Sequence, residues 1–156
     1  MDITTVVATI TPPAEQVPTD FMSYLNSTKQ SDYTRLCDFA IDTLSFSTKV
    51  NIFHWTCEKG FLHTQFEEVY ELLRKFADDL VERVLAQDVR FKITNRQVNI
   101  TDMIYNTEYA IRKLTEYRDE ADKLGAFFKD NRGINALFDE MVSELDKHIG
   151  LIKNFR

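Results

Sequence analysis

Proline is confined to the N-terminal end of this chain of 156 residues, at positions 12, 13 and 18. Proline interrupts helices because it lacks a backbone N–H and its ring collides with the preceding turn. The rest of the chain, from residue 19 onward, contains only four glycines, so few positions in it favour a break. This distribution predicts an all-α body made of long helices.

Four segments carry apolar residues at three- and four-residue steps, the pattern of a helix with one buried face. The predicted helices run over 32–58, from 61–64 to 86–88, over 101–128 and from 132 to the C-terminus. In the second helix the apolar stripe consists of Leu62, Phe66, Val69, Leu73, Phe76, Leu80 and Val84. We interpret Gly60 as the stop of the first helix, and Thr64 with Glu67 as a capping box at the start of the second. Together the segments predict a four-helix bundle, with 89–98 as a longer connection.

The first thirty residues differ in composition from the rest of the chain. They hold all three prolines and no lysine or arginine before Lys29. We predict an extended N-terminal arm over residues 1–30, followed by one bundle domain over residues 31–156. The apolar residues of the arm suit a short strand or a groove on a neighbouring molecule, and a disordered terminus fits the composition equally well.

The charge and the cysteine content of the chain indicate which binding partners and which cellular compartment to expect. The chain has 25 acidic and 19 basic residues and a net charge of −6, which disfavours general binding to nucleic-acid phosphates. The two cysteines, Cys37 and Cys57, make no disulfide framework, as expected in a reducing cytoplasm. The sequence has neither a secretory leader nor an apolar run of about 18 residues. We therefore expect a cytoplasmic protein that binds neither DNA nor membranes.

Two of the three histidines flank the predicted turn between the first two helices. His54 lies near the end of the first helix and His63 near the start of the second. A tight turn between them would bring both imidazoles to one end of the helical hairpin. His54 also falls on the apolar side of its helix, where a hydrogen-bonded core histidine is the more common finding. Cys57, close to both, is read as a buried thiol in preference to a metal-binding thiolate.

The second helix places two pairs of polar residues on the face opposite its apolar stripe. His63 and Glu67 form one pair and Asp78 and Glu82 the other, with the two members of each pair four positions apart. The rise of about 1.5 Å per residue separates Glu67 from Asp78 by about 16 Å, too far to share a metal with bonds of about 2 to 2.5 Å. Acidic residues on an outer face are usually solvated, which is the alternative to a metal site here.

A second copy of the helix would complete the site. If two copies meet antiparallel across a two-fold axis, His63 and Glu67 of one face Asp78 and Glu82 of the other, which gives two identical sites. Mixed imidazole and carboxylate ligands suit iron, manganese or zinc, and the excess of carboxylates favours iron. Gly-rich phosphate loops, GxSxG, CxxC and HExxH motifs are all missing, as are the Glu-x-x-His pairs that hold di-iron inside a bundle.

The segment NIFHWTCEKGFLH at 51–63, the acid Glu67 and the segment DDLVER at 78–83 resemble the mini-ferritins of the Dps type, within the ferritin-like superfamily. In that family a His-Trp pair closes the first helix, a second histidine opens the next, and carboxylates complete a ferroxidase centre between subunits. The resemblance implies a ferritin-like four-helix bundle whose iron ligands are His54, His63, Glu67, Asp78 and Glu82. Trp55 would be the aromatic beside the site that takes up an oxidising equivalent.

The same resemblance implies a homo-oligomer, a dodecameric cage of two-fold dimers, that oxidises Fe(II) at di-iron sites with peroxide or oxygen and stores the product. Zinc or manganese would suit the same ligands. The nine-residue spacing of the histidines looks more like ferritin-like proteins encoded by bacteriophages, found in the host cytoplasm or the virion. The alternative is a non-catalytic structural or interaction protein on the same bundle, such as a virion component. DNA coating is not expected, because the basic tail of some mini-ferritins is missing.

Overall fold

The structure, a computed structural model, describes residues 21–87 and 106–155, with side chains from residue 32 onward. These residues form four helices: α1 (Phe21–Thr56), α2 (Gly60–Leu85), α3 (Thr107–Phe127) and α4 (Arg132–Asn154). No strand occurs in the two described ranges. The predicted all-α four-helix bundle is therefore confirmed. The predicted connection 89–98 and residues 1–20 of the predicted arm lie outside the described residues.

The first helix begins eleven residues earlier than its predicted start at residue 32. Because α1 starts at Phe21, residues 21–30 of the predicted arm are helical. The predicted start followed from the spacing of apolar residues. A helix can continue beyond the residues that show such spacing. No proline after Pro18 prevents that continuation.

The turn between α1 and α2 lies earlier in the chain than predicted, and the predicted capping box is wrong. Only residues 57–59 separate the two helices, and Gly60 is the first residue of α2 where we expected it to stop α1. Lys59 is the N-cap and makes no side-chain cap hydrogen bond. Thr64 lies one turn inside the helix and donates to the carbonyl of Gly60 at 3.3 Å. The short connection therefore joins the two helices closely.

The helices pair as two hairpins. α1 packs along α2 and α3 along α4, and α2 also packs against α4. All seven residues of the predicted stripe on α2 are buried. α4 buries the side chains of Ile134, Leu137, Phe138, Met141, Leu145, His148, Ile149 and Ile152. The core thus takes one face of α2 and leaves the opposite face to the surface.

Asparagine side chains cap the N-termini of both helices of the second hairpin, α3 and α4. The side chain of Asn106 accepts a hydrogen bond from the backbone N–H of Tyr109 at 3.0 Å. The side chain of Asn131 accepts one from the N–H of Ile134 at 3.3 Å, which confirms the predicted start of the fourth helix after Asn131. Each bond satisfies one of the donors that a helix N-terminus leaves unpaired.

Stacked aromatic rings join α1 to α3. The Tyr117 ring stacks on Phe46 with centroids 4.8 Å apart and on Phe39 at 5.4 Å. Its hydroxyl shares a buried hydrogen bond of 2.6 Å with Thr43. Burial raises the pKa of Tyr117 well above its usual range, so the phenol stays protonated at neutral pH. This contact closes the side of the bundle that α2 and α4 do not cover.

Replacement by alanine is expected to have opposite effects on stability at two of the glycines. A Cβ at Gly125 in α3 would lie 2.7 Å from the Cβ of Phe138, whereas one at Gly150 in α4 would meet nothing within 4 Å. We expect Gly125→Ala to lower the free energy of unfolding by about 1 to 3 kcal/mol through overpacking. Gly150→Ala, the matched control, is expected to raise it by up to about 1 kcal/mol. Urea unfolding measures both, and an unchanged or stabilised Gly125→Ala would contradict the close approach of α3 and α4.

A polar network that the sequence did not predict crosses from α4 to α2. The Gln65 amide nitrogen donates to the Glu68 carboxylate at 3.3 Å, which turns the amide oxygen toward His148. His148 Nδ1 then donates to that oxygen at 2.9 Å. Burial lowers the pKa of His148, an effect that the Glu68 carboxylate 3.7 Å away partly opposes. His148 is therefore neutral in the folded protein at neutral pH.

His148 should make stability depend on pH. Below about pH 6.5 the unfolded chain takes up a proton at this histidine while the folded chain resists it. The free energy of unfolding therefore decreases as the pH falls from that value toward the lowered folded pKa, with a slope of at most about 1.4 kcal/mol per pH unit. His148→Gln should remove this part of the slope in urea titrations between pH 7 and 5. Identical slopes in both proteins would contradict the assignment.

Candidate metal centre

The short turn between α1 and α2 brings His54 and His63 into direct contact. Their ring centroids are 3.7 Å apart and the ring planes meet at 33°. Both side chains are half-buried at the end of the hairpin. The predicted convergence of these two histidines is confirmed, and His54 is hydrogen-bonded, as its helix face favoured, but only half-buried.

The two histidines exchange hydrogen bonds with each other's backbone. His54 Nδ1 lies 3.0 Å from the carbonyl oxygen of His63, and His63 Nδ1 lies 2.8 Å from the carbonyl oxygen of His54. A carbonyl oxygen only accepts, so each Nδ1 carries the hydrogen and donates. In a neutral ring the lone pair is then on Nε2. This is the usual arrangement of metal-binding histidines, whose second nitrogen donates to a carbonyl or carboxylate that fixes the ring.

The predicted acidic residues lie on the outer side of α2. Glu67, one turn after His63, is half-buried, and Asp78 and Glu82 are exposed. The apolar stripe on the opposite side is fully buried, with Leu62, Leu73 and Leu80 at 0% exposure. The prediction that this polar face points away from the chain's own core is confirmed.

One chain does not bring the five predicted ligands together. Among the residues that the structure describes, no group of three or more His, Cys, Asp or Glu side chains is close enough to hold one metal ion. The histidine pair and Glu67 lie toward one end of α2, and Asp78 and Glu82 lie toward the other. The predicted ligands therefore fall into two separate groups on one chain, as the helical rise predicts.

Trp55 lies at the surface next to the histidine pair. Its side chain is 69% exposed, the largest exposure among the large hydrophobic residues described. Phe61 and Phe155 are also exposed and contact each other, with ring centroids 4.3 Å apart. Cys57, in the turn, is buried, with Sγ 3.8 Å from the Lys59 carbonyl, which agrees with the predicted buried thiol.

Tyr70 belongs to this site and was missed by the sequence reasoning. Its ring meets that of His54 edge to face, with centroids 5.6 Å apart. The guanidinium of Arg74 lies over the Tyr70 ring, 5.9 Å from its centroid. Tyr70 follows His63 by seven residues, two helical turns, which is the signal that would have placed it on the same face.

Comparison of the chain with known proteins gave no match to a family model, to a curated protein or to a solved structure. The resemblance to mini-ferritins therefore rests on the sequence motifs within residues 51–83 and on the order of the helices. Across the described parts of the chain, none of the helices combines the length and the apolar character that crossing a membrane requires.

Proposed function

We propose that this chain is a mini-ferritin-like protein that binds Fe(II) at sites completed by two copies and oxidises it. The observation that carries the proposal is the pair of reciprocal hydrogen bonds between His54 and His63. They make both Nδ1 atoms donors, so the lone pair of each neutral ring is on Nε2, which supports a role for these atoms as metal ligands. Glu67 adds a carboxylate one turn away, and a second copy would supply Asp78 and Glu82.

In this proposal the side chains have separate tasks. The imidazole Nε2 atoms fix the position of Fe(II), the substrate, and the carboxylates of Glu67 and the partner's Asp78 and Glu82 neutralise its charge. Carboxylates stabilise Fe(III) more than Fe(II), so they favour the loss of one electron to oxygen or peroxide. Trp55, exposed beside the pair, is placed to donate an electron to excess oxidant. Zinc or manganese would bind the same ligands.

The proposed assembly is a cage of two-fold dimers, dodecameric as in the family that the chain resembles. The net charge of −6 suits an interior that collects ferric product.

A structural or interaction protein on the same bundle is the second candidate. The exposed aromatic side chains of Trp55, Phe61 and Phe155 favour it, because large apolar groups at a surface are typical of contacts with a partner. Such a protein would retain the two-fold contact without redox activity, as a virion component would.

Anaerobic protein mixed with Fe(II) and then with peroxide or oxygen tests the function. We expect the Fe(III) absorbance to rise faster than in buffer alone, and metal analysis after mild purification to find iron or zinc bound. A rate equal to that of buffer, with no bound metal, would reject the ferroxidase and favour the structural candidate.

A further inference from the structure

The ring of Tyr70 packs against the proposed metal ligand His54. The two rings meet edge to face, with centroids 5.6 Å apart. Tyr70 is half-buried where α2 lies against the end of α1, whereas Trp55 has 69% of its side chain exposed. A radical on Trp55 would therefore meet solvent directly, and a radical on Tyr70 would be partly enclosed by the protein.

A neighbouring cation decides the chemical form that an oxidised Tyr70 takes. The guanidinium of Arg74 lies over the Tyr70 ring, 5.9 Å from its centroid. Arginine stays protonated, and its positive charge repels a second positive charge on the ring. Loss of an electron from Tyr70 is therefore accompanied by loss of the phenol proton, which leaves a neutral tyrosyl radical.

The proposed reaction lacks one electron whenever a site holds a single Fe(II). Reduction of hydrogen peroxide to water takes two electrons, and one Fe(II) supplies only one of them as it becomes Fe(III). Reduction by that one electron breaks the O–O bond into hydroxide and a hydroxyl radical, which oxidises nearby side chains. A second electron donor in contact with the site would convert this radical to water.

We propose that Tyr70 is the second electron donor of the metal site. Hydrogen peroxide, Fe(II) and the Tyr70 phenol then give Fe(III), hydroxide, water and the neutral tyrosyl radical. The O–O bond breaks, Fe(II) and the phenol each lose one electron, and the phenol proton ends in the water molecule. The contact with His54 places the donor ring beside the iron. This assignment rests on the proposed function.

Phenylalanine at position 70 separates electron donation from packing. Tyr70→Phe keeps the ring that meets His54 and removes the phenol proton whose loss accompanies oxidation. Tyr109 offers a matched control, because it is also half-buried and meets the ring of Phe53 edge to face at 6.2 Å. The guanidinium of Arg112 lies over its ring at 5.2 Å. The aromatic partner of Tyr109 is thus a phenylalanine in place of a metal ligand.

Freeze-quench electron paramagnetic resonance supplies the readout. Anaerobic protein receives fewer Fe(II) ions than it has sites, and then hydrogen peroxide. We expect the wild type to give a radical signal that ring-deuterated tyrosine narrows, which assigns the signal to tyrosine and not to Trp55. Tyr70→Phe should lose this signal, and a spin trap should then capture more hydroxyl radical. Tyr109→Phe should behave like the wild type in both measurements.

Two further results separate the role of Tyr70 from the function of the site. A tyrosyl signal that persists in Tyr70→Phe, or iron oxidation by the wild type without a tyrosyl signal, would overturn the assignment and leave the ferroxidase standing. A wild type that oxidises Fe(II) no faster than buffer would reject both.

Binding of Zn²⁺, a redox-inert probe, distinguishes a donor from a structural support of His54. Tyr70→Phe should bind Zn²⁺ as tightly as the wild type, because the ring that packs against His54 is retained. Weaker binding would show that the phenol supports the site itself, and would overturn the donor role.

Discussion

Replacement of both Asp78 and Glu82 by alanine is expected to reduce Fe(II) oxidation to the rate in buffer. In the proposed site both carboxylates belong to the part that each chain gives to its partner, and their loss would leave iron with the histidine pair and Glu67 alone. Fewer negative ligands bind Fe(II) more weakly and stabilise Fe(III) less. Both side chains are exposed, so the free energy of unfolding should change by less than about 0.5 kcal/mol per substitution.

The chain offers a matched control for this variant. Glu116 and Glu120 are also exposed acids four residues apart, on α3. Alanine at both should leave the oxidation rate at the wild-type value, since neither lies on α2. Equal rates in the wild type and in Asp78→Ala/Glu82→Ala would reject the proposed site.

His63→Ala is expected to lower the oxidation rate as strongly as the double acid variant. It removes one Nε2 ligand and also the Nδ1 donor that holds the carbonyl of His54 at 2.8 Å. The His54 ring, whose centroid lies 3.7 Å from that of His63, would also lose its neighbour and change its orientation. Thr64→Ala, one residue later and exposed, is the control and should keep the wild-type rate.

Mixed subunits make this second prediction specific to a shared site. His63→Ala still carries the acids, and Asp78→Ala/Glu82→Ala still carries the histidines. Unfolded together and refolded at equal amounts, they should recover about a quarter of the wild-type rate, because chance pairing gives an intact histidine side and an intact acid side that often. Recovery should be absent when either variant is refolded alone. A mixture as inactive as its components would show that both halves must come from one chain.

The sequence predicted the bundle and its buried faces well, because burial and helical periodicity are local signals. The stripe on α2 and the start of α4 after Asn131 both follow from residues close together in the chain. The outward direction of Asp78 and Glu82 followed from the same periodicity. The start of α1 at Phe21 did not, because the composition of residues 1–30 predicted an extended arm.

Local sequence patterns could not predict contacts between residues far apart in the sequence, or contacts that depend on where a turn lies. The amide of Gln65 meets His148 across 83 positions of sequence, and no local pattern announces the pair. The exchange of hydrogen bonds between His54 and His63 depends on the position of the turn, which lies at residues 57–59, whereas the sequence placed Gly60 in it. Thr64 failed as a cap because α2 had already begun four residues earlier.

The central claim is that one metal ion takes its ligands from two chains. Anomalous diffraction from crystals grown with Zn²⁺, or with Fe(II) under anaerobic conditions, measures this directly. The account predicts a peak between the Nε2 atoms of His54 and His63 with Glu67 of one chain and Asp78 with Glu82 of another, and a second such peak related to it by the two-fold axis. A peak bound by a single chain, or an outer face of α2 turned to solvent with these residues far apart, would contradict it.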